Sequence, residues 1–247
     1  MKKGAGGLAI VIVAVVVIGY GLFSGQVSVE QVIEGLLGEP SGSGSSQPAG
    51  SGPASARGAP APPPAAEARR QLDELEVAAP GTMAGYSREK FPHWSDAQEF
   101  GWDVADSSCD ARDAALIRDG EEVSVEEGCD VELGRWVDPY TGSSYTDPAD
   151  IDIDHMVPLA NAWRSGASDW SEAEREAYAN DPQVLLSVED NANQEKGDKG
   201  PEAWKPPNRR YHCEYARRWV WIKSDWDLTV NPQEESALRQ MLGTCPG

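Results

Sequence analysis

The nine tryptophans of this 247-residue chain all lie between residues 94 and 226, and their clustering indicates which part can build a core. Residues 40–66, in contrast, are mostly Ser, Gly, Pro and Ala. Burial in such a segment cannot offset the conformational entropy lost on ordering. We therefore expect residues 25–80 to form a low-complexity tether with short helical segments at its ends. Residues 81–247 are expected to form the folded domain.

The first 24 residues have the pattern of an export signal. Met1 is followed by two lysines, and residues 8–23 are apolar and uncharged. A cleaved signal peptide and a retained signal anchor share this pattern, and the run is slightly shorter than the about 20 residues typical of a membrane span. Because no clear Ala-x-Ala cleavage site follows, a retained membrane anchor is slightly favoured. In both cases the rest of the chain is expected outside the cytoplasm, either secreted or anchored to the cell membrane.

Four cysteines are present, at Cys109, Cys129, Cys213 and Cys245. None forms a Cys-x-x-Cys pair, which argues against a zinc ribbon. An even number behind an export signal is typical of disulfides. Four cysteines allow three pairings, and the simplest is local, joining Cys109 to Cys129 and Cys213 to Cys245. The alternative, four free thiols in a cytosolic protein, conflicts with the N-terminus.

The charges are strongly unbalanced and unevenly distributed. The net charge of −20 fits a soluble secreted protein and weighs against a general nucleic-acid binder, because phosphate contacts need cations. Between residues 196 and 223, however, eight Lys and Arg stand against three Asp and Glu. The predicted phosphate-backbone contacts in this stretch are Lys199, Arg209, Arg210, Arg217 and Arg218. Alternatively, these side chains pair with the surplus carboxylates.

The hydrophobic pattern predicts an α+β fold. Helices are expected at 110–119, 171–180, 209–224 and 232–242, and a helix or tight turn begins at 189. Ser171 and Glu174 form the capping-box pattern at the start of one of these helices. Strands are expected at 131–137, around 145, and at 151–157 and 184–188.

The segment from Asp150 to Leu159 indicates a chemical role. Acidic and apolar residues alternate up to His155, which would put Asp150, Asp152 and Asp154 on one face of a strand. His155 would then point to the other face unless the strand bends or ends there. Three aspartates on one face repel one another unless a cation or basic residues neutralise them. Residues 184–199 add a strand and an Asn-rich turn, and oxygen ligands from Asp and Asn suit Mg²⁺.

Together these residues resemble the HNH, or His-Me finger, nucleases, and in particular the secreted family built on the C-terminal nuclease domain of GmrSD-type restriction enzymes. The resemblance covers residues 86–245. Asp-His-x-x-Pro-Leu, followed after a strand by Asn-x-x-Lys-Gly-Asp, is its most specific part. The motifs are Phe91-Pro-His-Trp94, Cys109-Asp-Ala-Arg112, Asp152-Ile-Asp-His-Met-Val-Pro-Leu-Ala-Asn-Ala-Trp163, Ala192-Asn-Gln-Glu-Lys-Gly-Asp198, Trp204-Lys-Pro-Pro207 and Tyr215-Ala-Arg-Arg-Trp219.

The resemblance implies a small ββα-metal core packed among several helices, stabilised by disulfides, that hydrolyses DNA, with RNA as an alternative substrate, and with little sequence specificity. His155 would be the general base, a role that an imidazole fills near neutral pH with little tuning. Asp154 and Asn193 would hold one divalent cation, Mg²⁺ first, with Mn²⁺ or Ca²⁺ as alternatives. The supporting residues would be Asp152, Asn191 and Lys196. No protein partner is implied.

One position departs from the family pattern. Aligning on Lys196-Gly197 places Val184 where the family usually has an Asn that braces the loop carrying the histidine, and Asn180 and Gln183 are candidates to replace it. Two other functions stay open. The chain could be a catalytically weak or inactive module that binds nucleic acid or an envelope polymer. It could also be a structural envelope protein in which the aspartates hold Ca²⁺. The other histidines, His93 and His212, are expected to be structural.

Overall fold

The computed structural model describes Ala56 and residues 58–246. The predicted export signal and most of the predicted tether lie outside these residues. The helices are α1 (Ala65–Glu74), α2 (Ala111–Asp119), α3 (Leu159–Arg164), α4 (Glu172–Ala179), α5 (Asp190–Lys196), α6 (His212–Asp225) and α7 (Pro232–Leu242). The strands are β1 (Glu121–Val125), β2 (Val131–Val137), β3 (Ser144–Tyr145), β4 (Ile151–His155) and β5 (Leu185–Glu189). This mixture of small sheets and helices is the predicted α+β class.

The strands form two small antiparallel sheets, β1-β2-β3 and β4-β5. In the second sheet, Asp154 pairs with Leu186 and His155 with Leu185. All five residues of β5 are buried, and three of them, Leu185, Leu186 and Val188, are apolar. Helix α5 begins directly after β5 and packs against both strands. Glu189 caps this helix by accepting from the Ala192 amide at 2.7 Å.

The folded unit begins earlier than the predicted start at residue 81. Helix α1 packs against α6 and α7 and buries Ala68 and Leu72 in the larger hydrophobic cluster. Preceding residues are bound by side chains of α6, because Arg217 donates to the carbonyls of Pro62 and Pro63. The helical segment expected at the end of the tether is therefore part of the domain and buries a narrow stripe of Ala68 and Leu72.

Two disulfides join the four cysteines in the local pairing, Cys109–Cys129 and Cys213–Cys245. The first connects the residue before the α2 cap to the loop between β1 and β2. The second connects the first turn of α6 to the residues after α7. Both link neighbouring elements that the chain visits consecutively, so the simplest pairing is confirmed.

The prediction of a transmembrane segment is contradicted in the part of the chain that the structure describes. No helix among residues 58–246 is long and apolar enough to cross a membrane. Residues 8–23, on which the prediction rested, lie outside this part.

Candidate active site

A cavity of about 210 Å³ opens where β4 ends and α5 packs against it. Its position follows from the sequence of β4, because the strand ends at His155 and the following Pro158 cannot continue a ladder. Asp154 and His155 therefore both reach the cavity although they are neighbours in the strand. The polar side chains that line it are Tyr86, Arg88, Asp154, His155, Asn193 and Asp198.

His155 is buried, with 4% of its surface exposed. Its Nε2 lies 3.0 Å from the carbonyl oxygen of Ala179. Because a carbonyl can only accept, Nε2 carries the proton, and Nδ1 keeps its lone pair. Burial, and next the charge of Arg88, lower the pKa of His155 from 6.5 to about 3. This is a much larger shift than the sequence predicted, and it keeps the imidazole neutral over the physiological range.

Asp154 is held by two buried donors. Lys196 Nζ lies 2.8 Å from Oδ1, and Tyr140 Oη lies 2.5 Å from Oδ2. Lys196 also donates to the carbonyl oxygen of His155 at 3.2 Å, so it links the two neighbouring site residues. Burial raises the pKa of Asp154, and the charge of Lys196 opposes that shift. Each carboxylate oxygen still has a second lone pair for a further partner.

Asn193 lies across the cavity from β4, on helix α5. Its Nδ2 donates to Asp152 Oδ2 at 3.3 Å, which leaves its Oδ1 free to accept. Asp152 therefore orients the amide. Asn191 is exposed and binds Glu189 and Asp190 instead, so the structure does not bring it to the cavity.

The donor set of Asp154 and Asn193 fits a hard divalent cation. Both offer oxygen atoms to the same cavity, and Mg²⁺ is commonly held by one or two protein oxygens while it keeps several waters. Among the described residues, no group of three or more His, Cys, Asp or Glu side chains could hold a metal.

Val184 forms its hydrogen bond through the backbone, whereas the nearby Asn180 binds through its side chain. Val184 is buried, and its carbonyl oxygen accepts from the Met156 amide at 2.8 Å. Asn180 is also buried; its Oδ1 accepts from Ser95 N at 3.0 Å, and its Nδ2 donates to Pro92 O at 3.0 Å. Asn180 follows the residue whose carbonyl binds His155, so one end of α4 fixes both the histidine and a distant loop.

That loop, residues 91–95, covers the side of His155. The rings of His93 and Trp94 lie 6.2 and 5.9 Å from the His155 ring, centroid to centroid. Trp94 has φ of +63°, a left-handed conformation that bulky residues rarely adopt and that marks a constrained position. His93, expected to be structural, thus belongs to the walls around His155. The Phe-Pro-His-Trp motif was the only sequence signal for this loop.

The predicted nucleic-acid contacts separate into exposed and buried groups. Lys199, Arg209 and Arg210 are exposed. Arg218 is 1% exposed, and its guanidinium binds Glu214 and the Pro60 carbonyl, so burial removes it from the predicted set. Arg217 is half-buried, and its guanidinium donates hydrogen bonds to the carbonyls of Pro62 and Pro63.

Comparisons with known proteins identify a family and a relative of this chain. Residues 110–241 match the family described as GmrSD restriction endonucleases, C-terminal domain. An uncharacterised secreted protein of Arthroderma benhamiae (strain ATCC MYA-4681 / CBS 112371) is 46% identical over 186 residues, which cover 74% of this chain and 87% of that protein. No solved structure gives a significant match. The chain belongs to the family of the C-terminal domain of GmrSD restriction endonucleases.

Proposed function

We propose that this protein is a divalent-metal-dependent endonuclease of the HNH type that hydrolyses phosphodiester bonds of DNA without reading the base sequence. The observation that carries the proposal is the shared cavity of His155, Asp154 and Asn193. It combines a neutral imidazole with two oxygen ligands, which is the minimum set for metal-assisted hydrolysis. Strands β4 and β5 with helix α5 would be the ββα core of that family.

In the proposed reaction, His155 Nδ1 accepts a proton from a water molecule whose oxygen attacks phosphorus. The bond from phosphorus to the leaving ester oxygen breaks, and that oxygen takes a proton from solvent. Ala179 keeps Nε2 protonated, so that Nδ1 is the basic atom. Asp154 and Asn193 would hold the cation, and Asp152 and Lys196 would keep these ligands in place. A bound divalent cation would stabilise the negative charge on the phosphate.

An extracytoplasmic location is supported by two findings. The chain forms two disulfides, which persist in oxidising compartments. The Arthroderma relative is described as secreted.

The test is a nicking assay with the oxidised protein and supercoiled plasmid. We expect cleavage with Mg²⁺ or Mn²⁺ and none in EDTA, and we expect His155→Ala to abolish cleavage because His155 supplies the one imidazole among the described residues that line the cavity. His212→Ala is the matched control, since the His212 ring binds the Pro206 carbonyl outside the cavity. Cleavage by folded His155→Ala at the wild-type rate would contradict the mechanism.

A catalytically inactive binding module is the second candidate. It is favoured by the two hydrogen bonds that already occupy Asp154, which could keep a cation away. A folded wild-type protein that binds DNA but does not nick it with any of these metals would establish this alternative.

A further inference from the structure

We propose that Arg88 binds the scissile phosphate of DNA in the cavity of His155. The inference rests on the proposed nuclease function and adds a substrate-binding residue to it. Arg88 belongs to a short 3₁₀ helix, Arg88–Lys90, outside the β4-β5-α5 unit and outside the basic stretch 196–223.

Arg88 is the one Lys or Arg among the described residues that line this cavity. The other nearby cations are already engaged. Lys196 is buried against Asp154 at 2.8 Å, and Arg164, which lines a different cavity, pairs with Asp198 at 2.9 Å. A phosphate entering a cavity with two aspartates needs a cation, and Arg88 is placed to supply it.

The guanidinium of Arg88 is exposed, and in the described part of the chain no carboxylate pairs with it. Six of the other twelve arginines that the structure describes pair with a carboxylate instead. The arginines with carboxylate partners within 4 Å are Arg70, Arg118, Arg135, Arg164, Arg218 and Arg239. With 41 Asp and Glu in the chain, an arginine at a cavity without a carboxylate partner keeps its charge for a ligand.

His93 fixes the direction of Arg88. The His93 Nδ1 lies 2.8 Å from the Phe91 carbonyl oxygen, so Nδ1 carries the proton and Nε2 is the acceptor. Arg88 Nε donates to that Nε2 at 3.4 Å. Neither terminal nitrogen of the guanidinium has a hydrogen-bond partner among the described residues, and the two nitrogens form the fork that matches two phosphate oxygens.

The loop that carries His93 is itself anchored. Asn180 binds both Pro92 and Ser95, and the His93 ring stands 6.2 Å from the His155 ring. The phosphate contact and the base are thus tied to the same end of α4. This arrangement would hold a phosphate beside His155 and lower the entropy cost of aligning it.

The first experiment measures cleavage kinetics on a short DNA duplex with Mg²⁺ for wild type, Arg88→Gln and Arg88→Lys. We expect kcat/KM to fall about 100-fold in Arg88→Gln, as when one charge-stabilising donor is removed. Arg88→Lys should fall less, because the charge stays while the fork is lost. Arg112→Gln, an arginine on α2 away from the cavity lining, is the control and should retain wild-type values.

The second experiment measures binding without turnover, in EDTA and in a His155→Ala background, as a function of NaCl. If Arg88 neutralises one phosphate, the slope of log Kd against log salt should lose about 0.9 when Arg88→Gln is added. Melting temperatures of all variants establish that they are folded.

The outcomes separate the two proposals. Wild type that neither cleaves nor binds DNA overturns the proposed function. Wild type that cleaves, with folded Arg88→Gln equal to Arg112→Gln in kcat/KM and in salt slope, overturns the role of Arg88 alone. A loss in both quantities in Arg88→Gln, partly restored in Arg88→Lys, supports it.

Discussion

At the residue scale, His155 shows how burial changes the chemistry of a common side chain. An exposed imidazole is largely neutral only above its ordinary pKa of about 6.5. Inside this protein the pKa falls to about 3, mainly through desolvation. A base of this kind stays available in mildly acidic surroundings, although its intrinsic affinity for a proton is lower. The same shift has a measurable effect on folding.

The shifted pKa of His155 predicts that it makes the folded protein less stable in acid. Between pH 6.5 and 3 the unfolded chain protonates His155 and the folded protein does not. The contribution of the neutral histidine to the unfolding free energy is therefore fully present above pH 6.5 and is lost as the pH falls toward 3. Between pH 7.5 and 5.0 we expect wild type to lose about 2 kcal/mol more unfolding free energy than His155→Gln.

Urea unfolding of both proteins in EDTA at the two pH values measures this difference. The ionisable neighbours Arg88, His93 and Lys196 are present in both proteins, so their contributions to the change in unfolding free energy largely cancel. Equal losses in the two proteins would show that His155 is protonated in the folded state.

At the scale of elements, helix α1 is an integral part of the domain. It packs against α6 and α7 with Leu72 only 1% exposed. The α7 helix in turn carries Glu234, which pairs with the buried Lys223 of α6 at 2.7 Å. Helix α1, which lies before the predicted domain start, therefore stabilises α6 and α7, the helices that Cys213–Cys245 links.

Leu72→Ala should accordingly lower the unfolding free energy by about 2–5 kcal/mol, because it leaves a cavity in the core. Val77→Ala is the matched control, since Val77 is 47% exposed and its truncation should change stability by less than about 0.5 kcal/mol. Chemical denaturation of the two variants tests this. Similar small losses in both would mean that α1 is not firmly docked.

The sequence predicted those elements whose signals are local. Three helices begin at capping boxes, Asp110 with Asp113, Ser171 with Glu174 and Asn231 with Glu234, and α7 has the predicted bounds. Strand β1 was not predicted because its residues are largely exposed and acidic. The local cysteine pairing was likewise accessible from spacing and number.

The surroundings of the candidate site depend on contacts between distant residues, which a single sequence does not show. Asn180 binds Ser95 across 85 positions, and Lys196 binds Asp154 across 42. Asp154 and Asn193 could be named from their motif, and the structure places both on one cavity. The neutral state of His155, the Tyr140 hydrogen bond and the place of Arg88 follow only from packing.

At the scale of the whole molecule, the basic stretch 196–223 is partly structural. Arg218 and Lys223 are buried in ion pairs with Glu214 and Glu234. The net charge of −20 opposes the approach of DNA, and salt screens that repulsion as well as the attraction of single cations. We therefore expect DNA binding by this protein to depend on a few exposed Lys and Arg side chains at specific positions, such as Arg88 at the cavity.

The second disulfide should contribute to global stability. Replacing Cys213 and Cys245 together by Ala opens a loop of 32 positions, and we expect the unfolding free energy to fall by about 3 kcal/mol. Denaturation with and without reductant measures this, and reductant should then act in the variant only through Cys109–Cys129. An unchanged unfolding free energy in the variant would contradict the expectation.

The two disulfides have a consequence for how the chain matures. The four cysteines bond in consecutive pairs, the first with the second and the third with the fourth. If the chain is exported from its N-terminus, as the proposed extracytoplasmic location requires, the first pair could close before the third thiol has emerged, so that competing partners would be absent at that moment. Of the three pairings that four cysteines allow, such vectorial oxidation would produce the native one directly, without thiol–disulfide reshuffling.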